Sequence, residues 1–192
     1  MPLFKKAIYE DSVYPKNNLK ELSRPVIAFH SYKGGVGRTL SLIAFAQAWT
    51  SIQDDPQKNK LLIIDSDLEA PGLTLIQGNL NETAFSYLDL LTLIQDNNSI
   101  EEIVSTAEAL MGTLTLPIET SQQRVEHFFL PTYRYEQQLF DLYASPQTIT
   151  ISRNKEYILA EVLSSLAAQL GASAVLVDLR AGISEYSAPL LL

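Results

Sequence analysis

A glycine-rich heptapeptide at residues 33–39, with the sequence KGGVGRT, has the residue types of a phosphate-binding loop. Three of the eight glycines of the chain lie in it, and glycine permits backbone conformations that let successive N–H groups converge on phosphate oxygens. A strand-like apolar segment precedes it at 26–32, and a helix-like segment follows it at 40–49. The start of that helix would add unpaired N–H groups and the positive end of its dipole, so the pattern predicts an anion site.

Two positions depart from the ordinary phosphate-loop pattern GxxxxGK[ST]. Tyr32 stands where the first glycine belongs and Arg38 where the lysine belongs, whereas Thr39 retains the hydroxyl that ligates Mg²⁺ in such loops. Arginine keeps the positive charge and can hold phosphate through two parallel N–H bonds, but it is planar and longer than lysine. In ordinary phosphate loops the lysine also stabilises the charge that moves onto the leaving group during transfer. We therefore expect phosphate binding to survive the replacement by arginine better than catalysis.

Carboxylates end two apolar segments farther along the chain. Asp65 and Asp67 follow a run of leucine and isoleucine, and Asp178 follows a similar run, with Gly182 four residues later. Alternate residues of an extended chain point the same way, so Asp65 and Asp67 could both face a cation at the carboxyl end of a strand. The simpler interpretations are two solvated carboxylates for that pair and a capping acid for Asp178.

In order and spacing, these motifs resemble those of the ParA/MinD family of deviant Walker A P-loop ATPases, with KGGVGR here in place of KGGVGK. The segment 61–72 resembles the acid-ended second strand of the family, and 174–182 resembles its Walker B and switch II region. A weaker match, 128–132, resembles its third strand and the proline-containing loop that follows. The resemblance implies ATP and Mg²⁺ as cofactors, and a slow ATPase that acts as a nucleotide-dependent homodimer switch.

The family's residue roles carry over to matching positions of this chain. The resemblance assigns the phosphates to the loop residues Gly34, Gly35, Val36, Gly37, Arg38 and Thr39. It assigns Mg²⁺ and its water shell to Thr39, Asp65 and Asp178. Asp67 would orient the attacking water, Gly182 would sense the γ-phosphate, and Lys33 would reach across the dimer into the partner's site. Lys33, Arg38 and Asp67 are therefore the predicted catalytic residues.

Three other functions remain open on the sequence. The first is a hydrolysis-deficient nucleotide-binding interaction module of a larger bacterial signalling or defence protein, which the Arg38 replacement would suit. The second is a bacterial tyrosine kinase, but Glu69 stands where an arginine is usual in those enzymes, and no tyrosine-rich tail follows. The third is a small-GTPase-like specificity. It stays open because no base-reading motif such as NKxD is present to decide which nucleotide base is bound.

Segment order predicts an α/β fold: a parallel β-sheet with helices on both faces, of the P-loop NTPase type that the resemblance implies. At 192 residues and 46% hydrophobic content, the chain can bury one sizeable core. The predicted strands are 26–32, 60–66, 113–117, 126–131 and 173–179. The predicted helices are 39–53, 82–95, 99–110 and 153–170, with 133–150 left unassigned.

Domain boundaries follow from the motifs. Residues 1–24 precede the first motif and are expected to form an N-terminal extension that packs on the edge of the domain, or alternatively a partner-binding arm. The nucleotide-binding domain is expected to begin at 25. Relatives continue with further strands after switch II, so the resemblance implies that the domain is truncated at residue 192.

Composition excludes several kinds of site. The chain has no cysteine, which removes disulfides, zinc thiolate sites and iron–sulfur ligands. It has neither a signal-peptide pattern nor an apolar run of membrane-spanning length, so a cytoplasmic location is expected. Its net charge is −8, and residues 61–192 carry most of the acids, which gives no support to DNA binding and no sign of a membrane surface. His30 and His127 have no metal-ligand partner at helical spacing, so packing or surface roles are expected for both.

Overall fold

The structure is a computed structural model that describes residues 22–78, 85–96, 99–111, 114–139, 158–182 and 190. Its strands are β1 Val26–Phe29, β2 Leu61–Asp65, β3 Thr115–Glu119, β4 Arg124–Leu130 and β5 Ala174–Asp178. Its helices are α1 Arg38–Ile52, α2 Gly72–Gln77, α3 Tyr87–Asp96, α4 Ile100–Met111 and α5 Ile158–Gln169. A short 3₁₀ turn spans Glu136–Leu139.

The five strands form one sheet in the order β1-β5-β2-β4-β3. The first four of these run parallel to one another. Phe29 of β1 and Asp65 of β2 both lie opposite Asp178 of β5, so these three strands end at the same level. The loops that follow them therefore meet at one edge of the sheet, where open α/β sheets bind ligands.

Continuous apolar sequences explain why β2 and β5 lie inside the sheet. The sequences LLIID and AVLVD are buried at every residue, and strands of a parallel sheet that is covered on both faces are rich in such runs. Leu61 and Ile63 pack in an apolar cluster with α1, whereas Leu62 and Ile64 pack in another with α3, α4 and α5. Because successive strand side chains point to opposite faces, helices cover both faces of the sheet, and the predicted α/β architecture is confirmed.

The prediction of a wholly parallel sheet is wrong at one edge, where β3 runs antiparallel to β4. The two strands are joined by residues 120–123, in which the Thr120 N–H donates to the Gln123 carbonyl at 2.8 Å. A parallel pair needs a crossover of about a dozen residues or more, so a connection this short can only make a hairpin. The predicted strand 113–117 is accordingly Thr115–Glu119.

Other boundaries differ by a few residues. The predicted strand 26–32 ends at Phe29, because the chain then turns towards the segment that follows β5, where the Gly182 N–H donates to the Ser31 carbonyl. The short helix α2 was not predicted. Several predicted segments lie wholly or partly outside the described residues: most of the N-terminal extension, the starts of the helices predicted at 82 and 153, and 140–150. None of the described helices is both long enough and apolar enough to span a membrane.

Candidate functional site

The glycine-rich loop connects the carboxyl end of β1 with the start of α1. Gly35 and Gly37 have φ angles of 74° and 84°, in the left-handed region that residues other than glycine rarely adopt. A Cβ atom on Gly34, Gly35 or Gly37 would meet nothing within 4 Å. Gly35 and Gly37 are therefore needed for the path of the backbone rather than to avoid a neighbour, and space beside the loop remains open for a ligand.

Below the loop, Thr39 meets Asp178, as the sequence predicted for two ligands of one cation. The Thr39 Oγ1 hydroxyl donates to Asp178 Oδ2 at 2.6 Å. Asp178 is the last residue of β5 and is buried. Burial raises the pKa of its carboxyl group, and the hydrogen bond from Thr39 and the charge of Arg38 oppose that rise. A hydroxyl and a carboxylate are oxygen ligands of the kind that Mg²⁺ takes.

Arg38 lies at the centre of the site. Its Nε donates to Asp178 Oδ1 at 3.2 Å, its Nη2 to Asp67 Oδ2 at 2.9 Å, and its Nη1 to Ser31 Oγ at 3.1 Å. The exposed fractions of the Arg38, Asp67 and Asp178 side chains are 12%, 6% and 1%. The guanidinium group therefore links the ends of three parallel strands through charge-assisted bonds that are largely shielded from water.

Asp67 is oriented by the backbone that follows it. Its Oδ1 accepts hydrogen bonds from the N–H groups of Glu69 at 3.2 Å and Ala70 at 3.1 Å. This leaves Oδ2 directed to Arg38. The predicted catalytic pair of Arg38 and Asp67 is thus brought together in the structure.

Asp65 faces α2 and the loop after β4. Its Oδ2 accepts hydrogen bonds from the N–H of Thr74 at 2.8 Å and from the Thr74 hydroxyl at 2.9 Å, and its Oδ1 accepts from the Asp67 N–H at 3.2 Å. Burial raises the pKa of Asp65 to about 6, although the bonds from Thr74 partly oppose this. The contacts give Asp65 a role in holding α2 to β2, and its role towards Mg²⁺ stays a prediction.

Gly182 lies beside the glycine-rich loop, at a φ angle of 79°. Its N–H donates to the Ser31 carbonyl at 2.8 Å, and its carbonyl accepts from His30 Nε2 at 3.0 Å. The structure thus brings the predicted sensor residue next to the loop, but its amide is already bonded to Ser31. His30 fixes that segment and has more than a packing role.

Lys33 and Val36 lie on the open side of the loop. Both are exposed, and Lys33 has no ion pair or side-chain hydrogen bond within the part of the chain that the structure describes. The apolar residues Tyr32 and Leu40, close to them in the sequence, are also exposed. The exposed fractions of Tyr32, Val36 and Leu40 are 81%, 58% and 69%.

Sequence reasoning missed several residues that hold the site together. Ser31 links Arg38, Gly182 and the Lys33 carbonyl, the last through its Oγ at 2.9 Å. Thr74 holds Asp65, and an ion pair of 2.7 Å joins Arg180 to Glu69 across the loops after β5 and β2. The one signal in the sequence that could have indicated these residues was their position, because each lies within a few residues of a motif.

The donor set suits a cation that takes most of its ligands from water and phosphate. Among the described residues, no group of three or more His, Cys, Asp or Glu side chains could hold a metal ion. Mg²⁺ usually keeps several waters and binds one or two carboxylates together with substrate phosphates. Thr39 and Asp178 therefore fit Mg²⁺ that arrives with a phosphate ligand, and a dedicated protein cage for the ion is not needed.

The chain was compared with protein-family models, with curated proteins and with solved structures, and it matches none of them. Its function therefore has to be argued from the fold and from the side-chain geometry.

Proposed function

We propose that the chain binds Mg-ATP at the glycine-rich loop and acts as a slow, nucleotide-dependent dimer switch of the ParA/MinD kind. The observation that carries the proposal is the 2.6 Å hydrogen bond from Thr39 to Asp178. In P-loop NTPases a loop Ser or Thr and a strand-end Asp hold the metal together. Here those two residue types meet at the carboxyl edge of a parallel sheet, next to a loop with two left-handed glycines.

The phosphates would be held chiefly by backbone N–H groups of residues 34–39. The first turn of α1 adds N–H groups without partners inside the helix and the positive end of the helix dipole. Thr39 and Asp178 would hold Mg²⁺, which when bound neutralises charge on the phosphates.

Hydrolysis is expected to be slow because of what Arg38 contacts. Asp67 is the residue proposed to orient the attacking water, yet its Oδ2 accepts a hydrogen bond from Arg38 at 2.9 Å. A carboxylate bound to a guanidinium is a weaker acceptor for water than a free one. The same bond keeps the positive charge of Arg38 towards the acids and away from the leaving phosphate.

A dimer would form on the open side of the loop. Lys33 is exposed there, beside the exposed apolar side chains of Tyr32, Val36 and Leu40. Apolar side chains around a bound nucleotide would lose contact with water when a second copy covers them, which favours association. Lys33 would then reach the phosphates of the partner's nucleotide.

Equilibrium binding of ATP and ADP in the presence of Mg²⁺, measured by titration calorimetry, tests the proposal. Gly35→Ala strains the left-handed backbone that directs the N–H groups of the loop and should weaken ATP binding by about tenfold or more, since a side chain in this region costs about 1–2 kcal/mol. Gly171→Ala, the same change at a left-handed glycine after α5, should leave the affinity unchanged. The proposal is wrong if the folded wild-type protein binds neither nucleotide.

A second function is supported by the same contacts of Arg38. A guanidinium held by three acceptors suits a module that binds nucleotide as a structural ligand and does not hydrolyse it. Single-turnover hydrolysis with the protein in excess over ATP separates the two. Conversion of the bound ATP to ADP favours the switch, and intact ATP after prolonged incubation favours the module.

A further inference from the structure

We infer that Arg38, and not a divalent cation, is the counter-ion of Asp67 and Asp178 in the nucleotide-free protein. Nucleotide affinity should then depend only weakly on Mg²⁺. The statement about nucleotide rests on the proposed function of the site. The statement about the nucleotide-free protein rests on the contacts of Arg38 alone.

The first argument concerns buried charge. Asp67 and Asp178 are both buried, at 6% and 1% side-chain exposure. Buried carboxylates need a counter-charge and hydrogen bonds. Arg38 supplies both, because its Nη2 donates to Asp67 at 2.9 Å and its Nε donates to Asp178 at 3.2 Å.

The second argument concerns the ligand oxygens. Each oxygen of the Asp178 carboxylate accepts a hydrogen bond, one from Arg38 and the other from Thr39. Each oxygen of Asp67 is also used, one by Arg38 and the other by backbone N–H groups. Asp65 is bonded to Thr74 and to the Asp67 N–H in the same way. A cation at this edge of the sheet would share its carboxylate ligands with donors that the protein already supplies.

The third argument concerns the difference between arginine and lysine. The Nε, Nη1 and Nη2 atoms of Arg38 donate to three acceptors on three different strand ends. A lysine has a single nitrogen atom, and its charge is a point rather than a rigid planar fork. A lysine at this position would carry the same single charge but would hold the two carboxylates less firmly, and the acid pair would then attract a divalent cation more strongly. The replacement of lysine by arginine is therefore what makes the cation dispensable.

Thermal unfolding of the nucleotide-free protein tests the inference without any ligand other than the ion. Arg38→Met removes the guanidinium and keeps much of the apolar stem, so the midpoint should fall. Millimolar MgCl₂, compared with KCl at equal ionic strength, should then raise the midpoint of this variant by about 3 °C or more and leave the wild type unchanged. Arg124→Met, at an exposed arginine of β4 that pairs with Glu119 and Glu126, is the control and should show no response to Mg²⁺.

Wild-type protein alone gives a second measurement if Arg38→Met does not fold. Mn²⁺, a paramagnetic substitute for Mg²⁺, should show no binding to the nucleotide-free wild type at submillimolar concentration by electron paramagnetic resonance. Stoichiometric binding of Mn²⁺ there overturns the inference. An equal rise of the wild-type and Arg38→Met midpoints with MgCl₂ overturns it as well.

The nucleotide part is tested by ATP affinity in Mg²⁺ and in EDTA, for the wild type and for Arg38→Lys. The wild-type Kd should change by less than about threefold, whereas the Kd of Arg38→Lys should rise about tenfold or more in EDTA. Equal Mg²⁺ dependence of the two proteins overturns this part while leaving the proposed function intact. Failure of the wild type to bind ATP in either buffer overturns the proposed function, and the result for the nucleotide-free protein then still decides whether Arg38 replaces the cation.

Discussion

Arg38 is the residue on which the proposed chemistry of this chain depends most. It donates to Asp67, Asp178 and Ser31, and its positive charge is therefore shared among groups of the protein before any phosphate arrives. Arginine and lysine are not interchangeable at a position of this kind, because only arginine can hold several acceptors in a fixed fork. Arginine therefore suits phosphate binding better than it suits stabilising the charge that moves to the leaving group during phosphoryl transfer.

Arg38→Lys should raise the rate of ATP hydrolysis. A compact ammonium group holds Asp67 and Asp178 less firmly than the planar fork of arginine, so Asp67 is more available to water and the charge can move to the phosphate. We expect kcat at saturating ATP and Mg²⁺ to rise by about tenfold, which corresponds to about 1.4 kcal/mol of barrier. Arg124→Lys, the same change on the surface of β4, is the control in a phosphate-release assay. A lower kcat for Arg38→Lys at unchanged KM would show that the arginine is an adapted catalytic group.

Much of the site could be predicted from the sequence, since Asp178 ends an apolar strand and Thr39 lies at the start of the helix that follows the glycine-rich loop. Their meeting follows from the rule that parallel strands end at one edge of a sheet. The contacts of Ser31 could not be predicted, because they depend on the path of the loop through the left-handed Gly35 and Gly37. The backbone bonds that hold Asp65 to Thr74 depend on α2, an element of six residues whose sequence has little pattern.

Among the elements, β4 carries a buried histidine that holds α1 and β2 together. His127 Nδ1 accepts the Leu61 N–H at 3.1 Å, so its proton lies on Nε2, which donates to Thr50 Oγ1 at 2.9 Å. The Thr50 hydroxyl in turn donates to the Ala46 carbonyl at 2.8 Å. The ring is therefore neutral. Its burial, and next the charge of Lys60, lower its pKa to about 4.

These contacts give stability that depends on pH. The histidine pKa is near 6.5 in an unfolded chain and about 4 when folded, so the contribution of the neutral ring is complete above pH 6.5. It is lost as the pH falls through 4, and linkage puts the loss at about 3 kcal/mol at most. The free energy of unfolding of His127→Leu, measured in urea, should lie below the wild-type value at pH 7 and approach it by pH 4. Thr50→Val keeps the titrating ring and should retain the wild-type slope; a parallel course for His127→Leu and the wild type contradicts the assignment.

The start of α3 is held by a polar cluster around Asp89. Its carboxylate accepts from the Ser86 N–H and hydroxyl at 2.9 and 2.6 Å, and from Arg134 at 2.9 and 3.0 Å. Gln138 Nε2 adds another bond to it at 2.9 Å. The cluster therefore caps the helix and ties it to the loop that follows β4.

Asp89→Asn should lower the free energy of unfolding by about 2 kcal/mol, because it removes the negative charge from the cap and leaves Arg134 without its ion-pair partner. The matched control is Asp96→Asn, at an exposed position at the other end of the same helix, where little change is expected. Urea unfolding followed by circular dichroism measures both variants. Equal free energies of unfolding for the two variants would mean that the cluster does not stabilise the fold.

At the scale of the whole molecule, the inner strands were the most predictable part. Continuous apolar runs identify β2 and β5, and the acids that end them set the carboxyl edge. The direction of β3 was not predictable from its own residues, because it is set by the length of the turn that follows it. That turn, at 120–123, carries Thr, Ser and Gln, which do not mark a hairpin as strongly as Asn-Gly or Asp-Gly.

The last prediction concerns association of two whole chains. The exposed Lys33 lies among the exposed Tyr32, Val36 and Leu40, on the side of the loop where a bound nucleotide would lie. If a nucleotide completes this surface, ATP should shift the molar mass in light scattering from the 21.4 kDa of one chain to twice that value. ADP should not, because it lacks the γ-phosphate that Lys33 of a second copy would contact.

Lys33→Ala should retain ATP binding and lose the ATP-dependent dimer, since Lys33 has no ion pair within the described residues and its loss leaves the loop intact. Lys58→Ala, at an exposed lysine that pairs with Asp55, is the matched control and should still dimerise. Light scattering with a non-hydrolysable ATP analogue keeps the bound state constant during the measurement. A Lys33→Ala protein that dimerises as the wild type does would place the interface elsewhere on the molecule. A wild-type molar mass that is equal in ATP and in ADP would contradict the nucleotide-dependent switch.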